Sequence, residues 1–196
     1  YGDTGDQWVD EGSVESSDSF LASICRDWEE ACDPLRSCSR VVHSRLGIVI
    51  SPKGGALKNM LLPFKLGLGG KVGSGKQYWS WVSLDDVVYC LARFVRDDSF
   101  VGPVNVVSPQ VLTNLEFTKI LGRVLRRPTL FPIPSVMAKA AFGEMAEALL
   151  LCSCRVRPSK LQESKYEFAF PDLDGVLRNY LGRNETVSEE LTGVLR

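Results

Sequence analysis

Apolar positions change period several times along the chain. Phe20, Leu21, Ile24, Cys25 and Trp28 recur at three- and four-residue spacing, which predicts an amphipathic helix over 19–32, capped by Asp18 or Ser19 and stopped by Pro34. Residues 40–51 hold Val41-Val42 and Gly47-Ile48-Val49-Ile50, the composition of a buried strand. Gly54-Gly55 break the chain, and 56–66 reads as a short helix that contains Pro63 or ends at it. A glycine-rich loop over 67–77 leads into a short aromatic strand over 78–84. Ser83 is placed to cap a helix over 84–96, with Asp85 and Asp86 at its positive end and a stripe of Val88, Leu91, Ala92 and Val95. Residues 102–108 read as another strand. Thr113 and Glu116 have the spacing of a capping box for a helix to about 124. Further helices are predicted over 135–151 and 171–181, with polar stretches at 1–18 and 182–196.

Strands that alternate with helices predict an α/β fold with parallel pairing. The segments 41–50 and 104–107 should neighbour each other in one sheet, with the helix over 84–96 as a right-handed crossover. Only two strongly buried strands are visible, about half of what a doubly wound sheet needs.

The 196 residues correspond to one or two domains. With 44% apolar and 24% charged residues the composition is that of a globular protein. A net charge of −1 excludes gripping nucleic acid or an anionic membrane by bulk charge. The longest apolar stretch, 136–152, is broken by Lys139, Glu144 and Glu147, so no membrane helix is expected. The chain starts at Tyr1 without a leader, which suggests a processed chain or a segment of a longer one. Its six cysteines form no C-x-x-C pair, the pattern of reduced thiols in the cytoplasm or an organelle interior. His43, the only histidine, falls in a strand and reads as structural, since one imidazole cannot build a metal site. No metal is expected. Glu144, Glu147 and Arg155 read as a surface network.

One loop imitates a phosphate cradle. Gly70-Lys71-Val72-Gly73-Ser74-Gly75-Lys76-Gln77 nearly fits G-x-x-x-x-G-K-[ST], but Gln77 replaces the hydroxyl that would ligate magnesium, and no strand–helix context surrounds it. No G-x-G-x-x-G occurs anywhere. Glycine density beside two tryptophans suggests instead a small-molecule cleft over 54–81, with Lys76, Gln77, Trp79 and Trp81 as substrate contacts; the two indoles fit a core equally well, and Lys76 and Gln77 fit a solvated loop.

Several strings carry a family resemblance: Gly54-Gly55-Ala56, Met60-Leu61-Leu62-Pro63-Phe64, Gly67-Leu68-Gly69-Gly70, Gly73-Ser74-Gly75-Lys76-Gln77, Trp81 and Asp85-Asp86. They continue through Gly102-Pro103-Val104-Asn105, Thr113-Asn114-Leu115-Glu116-Phe117, Pro132-Ile133-Pro134, Arg155-Val156-Arg157-Pro158 and Phe168-Ala169-Phe170-Pro171-Asp172-Leu173. Together they resemble the second half of an atypical extended short-chain dehydrogenase/reductase, of the NAD-dependent epimerase/dehydratase-like kind with a C-terminal domain of unknown function.

That resemblance implies the C-terminal part of a Rossmann-like doubly wound fold plus a small, mostly helical substrate domain. The parts would be 1–50 in the Rossmann-like domain, 51–80 as the substrate-cleft insertion, 81–108 returning to the sheet, 109–182 as the helical C-terminal domain and 183–196 as a tail. It implies NADP as cofactor, with Arg45, Leu46 and Gly47 toward the nicotinamide end, and a small-molecule substrate; a structural salt bridge is the equal alternative for Arg45. It is compatible with a homodimer. The strand–turn–helix that grips pyrophosphate would lie outside this chain, so the chain alone should hold NADP weakly. Tyr1-Gly2 would end a central strand. The family's Tyr-x-x-x-Lys would fall on the first helix, where Leu21 and Cys25 stand instead. The implied function is an NADP-linked epimerase or oxidoreductase-like protein without that dyad, its catalytic residues unassigned. The alternative is a non-catalytic NADP-binding, scaffold or sensor protein.

Overall fold

The computed structural model describes residues 1–13, 20–137 and 150–182. The expected helix over 135–151 and the tail over 183–196 fall largely or wholly outside them, as do Glu144 and Glu147. In chain order the elements are β1 (Trp8–Val9), α1 (Phe20–Glu30), β2 (Val42–Leu46), β3 (Ile48–Ile50), α2 (Gly55–Lys65), β4 (Tyr78–Trp79), β5 (Trp81–Ser83), α3 (Leu84–Arg96), β6 (Gly102–Val106), β7 (Leu112–Thr113), α4 (Asn114–Leu125), β8 (Arg155–Val156), α5 (Ser159–Glu163) and α6 (Leu173–Tyr180).

The parallel pairing expected from the alternation is present. β2 lies beside β6, with Val42 opposite Gly102 and Leu46 opposite Val106. The single strand expected over 41–50 is divided, however. Beyond Gly47 the chain changes partner, and β3 pairs in parallel with β5. The cause is close approach: a Cβ on Gly47 would lie 2.8 Å from the Ser80 carbonyl oxygen and 2.9 Å from Val107 Cγ1. Only glycine lets the chain pass here. β1 pairs in parallel with β8, and β4 antiparallel with β7.

The caps predicted on α3 and α4 form, while the expected cap at Asp18 or Ser19 lies outside the described residues. Ser83 Oγ accepts from Asp86 N at the start of α3, and Thr113 and Glu116 complete a reciprocal capping box on α4. Asp172 caps α6 through Gly175 N.

Two large cores flank the strands among the described residues. One joins α2, α4 and α6 through Ile50, Leu57, Phe64, Trp79, Trp81, Phe117, Leu121 and Leu177. The other joins α3 to the sheet through Val82, Val87, Cys90, Phe94, Val104 and Val106, with Leu161 of α5. α1 forms as predicted, but its apolar stripe is not covered by the described residues: Phe20 is 76% and Trp28 72% exposed.

Candidate functional site

In an open α/β sheet, ligands bind beyond the carboxyl ends of the parallel strands. Arg45, Leu46 and Gly47 occupy that end of β2. Arg45 Nε and Nη2 donate to Glu29 Oε1 and Oε2 of α1, both at 2.7 Å, a bidentate pair with both side chains mostly buried. The guanidinium carbon sits 5.0 Å from the Tyr1 ring centroid. The Tyr1 hydroxyl shares its proton between Asn105 Oδ1 at 2.8 Å and the Asp10 carbonyl at 2.9 Å.

The electrostatics follow from this packing. Hydrogen bonds from Arg45 hold the Glu29 carboxyl below its ordinary range. Glu29 in turn raises the Arg45 guanidinium, which is a permanent cation. Burial pushes the Tyr1 phenol up despite Arg45 beside it, so Tyr1 is a neutral donor.

Two clefts meet at Ser13. One, of about 300 Å³, is lined by Ser13, Arg26, Glu29, Glu30, Asp33, Arg36 and Arg45. The other, of about 550 Å³, is lined by Tyr1, Asp3, Thr4, Gln7, Trp8, Val9 and Ser13. The loop over 1–13 therefore forms a cleft wall that composition did not reveal. Tyr1, Glu29 and Trp8 had no local signal, because their partners lie far away in sequence.

The expected group of Lys76, Gln77, Trp79 and Trp81 does not gather around an opening. Trp79 and Trp81 are 3% and 0% exposed, a correction to their reading as cleft walls. Residues two apart on a strand share a face, and here that face is the core under α4, where Trp79 meets Phe117 edge-on at 5.3 Å. Gln77 is also buried and spends its amide on the Val72 and Leu150 carbonyls. Lys76 alone of the four is exposed. The glycine loop is filled by protein: a Cβ on Gly70 would lie 1.9 Å from the Phe131 carbonyl oxygen, and Val72 bridges to Ile133.

Asp85 and Asp86 divide in role. Asp85 meets the Tyr180 hydroxyl at 3.0 Å. Asp86 is fully buried and accepts from Ser83 Oγ, Ala169 N, Phe170 N and Tyr166 OH. Burial raises the Cys90 and Cys152 thiols to about 11, so neither is a thiolate nucleophile near neutrality. His43 contacts Arg36 Nη2 through Nε2 at 3.2 Å. Among the described residues no group of His, Cys, Asp and Glu is arranged to hold a metal ion, and no helix is long and apolar enough to cross a membrane.

Paired parallel strands with an arginine at their carboxyl end, packed against a helical C-terminal part, define a Rossmann-like class. Comparison with known proteins narrows it. Residues 133–180 match the family model described as a domain of unknown function, DUF1731. An epimerase family protein of Mycobacterium bovis is 45% identical over 169 residues, 86% of this chain and 56% of the relative. The human epimerase family protein SDR39U1 is 35% identical over 86% of this chain and 58% of its own length. The crystal structure of that human protein with NADPH superposes with a TM-score of 0.86 at 32% identity, covering 94% of this chain and 62% of that one. A nucleoside-diphosphate sugar epimerase from Corynebacterium glutamicum superposes at 0.75 and 32% identity, over 92% of this chain and 34% of that one. The chain is thus similar to epimerase family proteins of the atypical short-chain dehydrogenase/reductase kind, and it spans rather more than half the length of the curated relatives named here.

Proposed function

We propose that the chain forms the substrate side of a nicotinamide-dinucleotide-binding, epimerase-like protein acting on a small molecule, with NADP as the dinucleotide. The observation that carries this is the superposition, over 94% of the chain, on a relative crystallised with NADPH. The residues present fit one end of such a cofactor. Leu46, half exposed at the end of β2, and the backbone at Gly47 would meet the nicotinamide half. Arg45, already held by Glu29, positions Tyr1 beside them. When bound, the dinucleotide supplies hydride transfer. Lys76, the exposed member of the glycine loop, is assigned to the substrate side.

A second reading, a binding or sensor protein without catalysis, is favoured by α1 itself. Phe20–Glu30 contains neither Tyr nor Lys, and Leu21 and Cys25 stand where the resemblance places the proton-transfer dyad.

Titration of the whole protein with NADPH, followed by nicotinamide fluorescence, tests the assignment. Leu46→Asp, at an exposed position, should keep the circular dichroism spectrum and weaken NADPH at least tenfold. Equal affinity in the variant, or no binding by the parent protein, overturns it. Stereospecific tritium exchange from NADPH into bound substrate candidates separates the two readings.

A further inference from the structure

We propose that Arg155 and Arg157, arranged about Trp8, form an anion-binding site beside the 550 Å³ cleft that Trp8 walls, and take a phosphate or carboxylate group of its ligand. This rests on the small-molecule reading above and adds the charge of the molecule.

The geometry begins with strand pairing. Trp8 of β1 stands opposite Arg155 of β8. Arg157 N donates to the Val9 carbonyl at 2.8 Å, so the ladder runs one residue past β8. Positions 155 and 157 therefore lie on one face. Both guanidinium carbons reach the indole of Trp8, at 4.1 and 4.3 Å from its ring centroid, and Arg155 also lies 4.5 Å from the Tyr78 ring. Trp8 is 38% exposed and is part of the 550 Å³ cleft wall.

Neither arginine has a carboxylate partner among the described residues, although the neighbouring loop is acidic. Several of its carboxylate oxygens are taken by backbone and hydroxyl donors, while Glu11 Oε2 is buried without a partner. Asp10 Oδ1 accepts from Gly12 N and Ser13 Oγ, Glu11 Oε1 from Asn105 N and Lys160 N, and Asp3 Oδ1 from Gly5 N. Asp3 is the acid on the cleft wall, outnumbered by the two cations behind Trp8. Arg155 Nε is buried with no acceptor. A guanidinium stacked on aromatic faces keeps its N–H fork free in the ring plane, the geometry that grips a planar or tetrahedral oxyanion. Arg155, half-buried and without a carboxylate partner among the described residues, is costly in the free protein, and an anionic group would relieve that cost; Arg157, exposed beside it, adds a second charge.

The test is calorimetric titration of the whole protein with inorganic pyrophosphate at low ionic strength, with and without saturating NADPH. Pyrophosphate should bind in both conditions. Arg157→Gln, at an exposed position, should weaken it at least tenfold, and Arg157→Lys by less. Arg155→Gln should weaken it likewise, and if that variant fails to fold, Arg157→Gln decides alone. Absence of binding, or unchanged affinity in the glutamine variants, overturns the proposal. Competitive displacement by NADPH also overturns it, since the anion would then belong to the cofactor's own phosphates. NADPH affinity is measured separately, so a failure here leaves the cofactor reading standing.

Discussion

Glu29 and Arg45 show how one ion pair ties a helix to the end of a strand. Both side chains are about four-fifths buried, so solvent screens the pair little. Glu29→Gln should cost about 1.5–3 kcal/mol at neutral pH, the scale of a charge-assisted hydrogen bond. The folded carboxyl titrates below its ordinary value of 4.5 because Arg45 donates to it. Its contribution is thus complete above that value and is lost as pH falls through the lower folded one. Thermal melts of parent and variant should differ most near neutrality and converge in acid; a gap that persists unchanged in acid would assign the loss to something other than this charge. At this scale the sequence is readable where a residue acts on its near neighbours. Ser83 and Thr113 cap helices three residues away, and the pattern announces both. Glu29 and Arg45 are 16 residues apart, and nothing local couples them.

Among elements, the division between β2 and β3 is what hydrophobic patterning could not foresee. Val41 to Ile50 reads as one buried strand, yet Gly47 hands the chain from β6 to β5 because Ser80 and Val107 press against its α-carbon. Gly47→Ala should destabilise the fold by about 1–3 kcal/mol, the usual cost of overpacking, read as a lower urea midpoint at unchanged slope. An unchanged midpoint would mean that β3 can move away from β5 at no cost. The two-residue strands β1, β7 and β8 were equally hidden, since two residues carry no period. The indoles of Trp79 and Trp81 illustrate the same limit. Aromatic residues beside glycine suit either a cleft or a core, and only the position of α4 decides.

For the molecule as a whole, the α/β class was legible because helix and strand periods alternate along the chain. The way its cores are joined was not. Asp86 lies at the start of α3, yet its donors Tyr166, Ala169 and Phe170 come from 80 to 84 residues further on. It fastens the segment before α6 to the core of α3. Asp86→Ala removes a fully buried acceptor and leaves the part-buried bonds of the Ala169 and Phe170 amides unmade, which should cost about 2–3 kcal/mol. Amide exchange should rise first at 166–170, ahead of β2 and β6; uniform exchange across the fold would show that this clamp is not a local one. The pairing of β1 with β8 spans further still. Thr4 Oγ1 donates to the Ser153 carbonyl, 149 residues away. During synthesis at about 5–20 residues per second, the loop that walls the cleft must wait many seconds for its partner strand to be made. Contacts of such long range also slow the folding search itself. The cleft is therefore among the last features of the protein to come into being, and an interrupted chain would carry the pattern of a sheet without a place to bind.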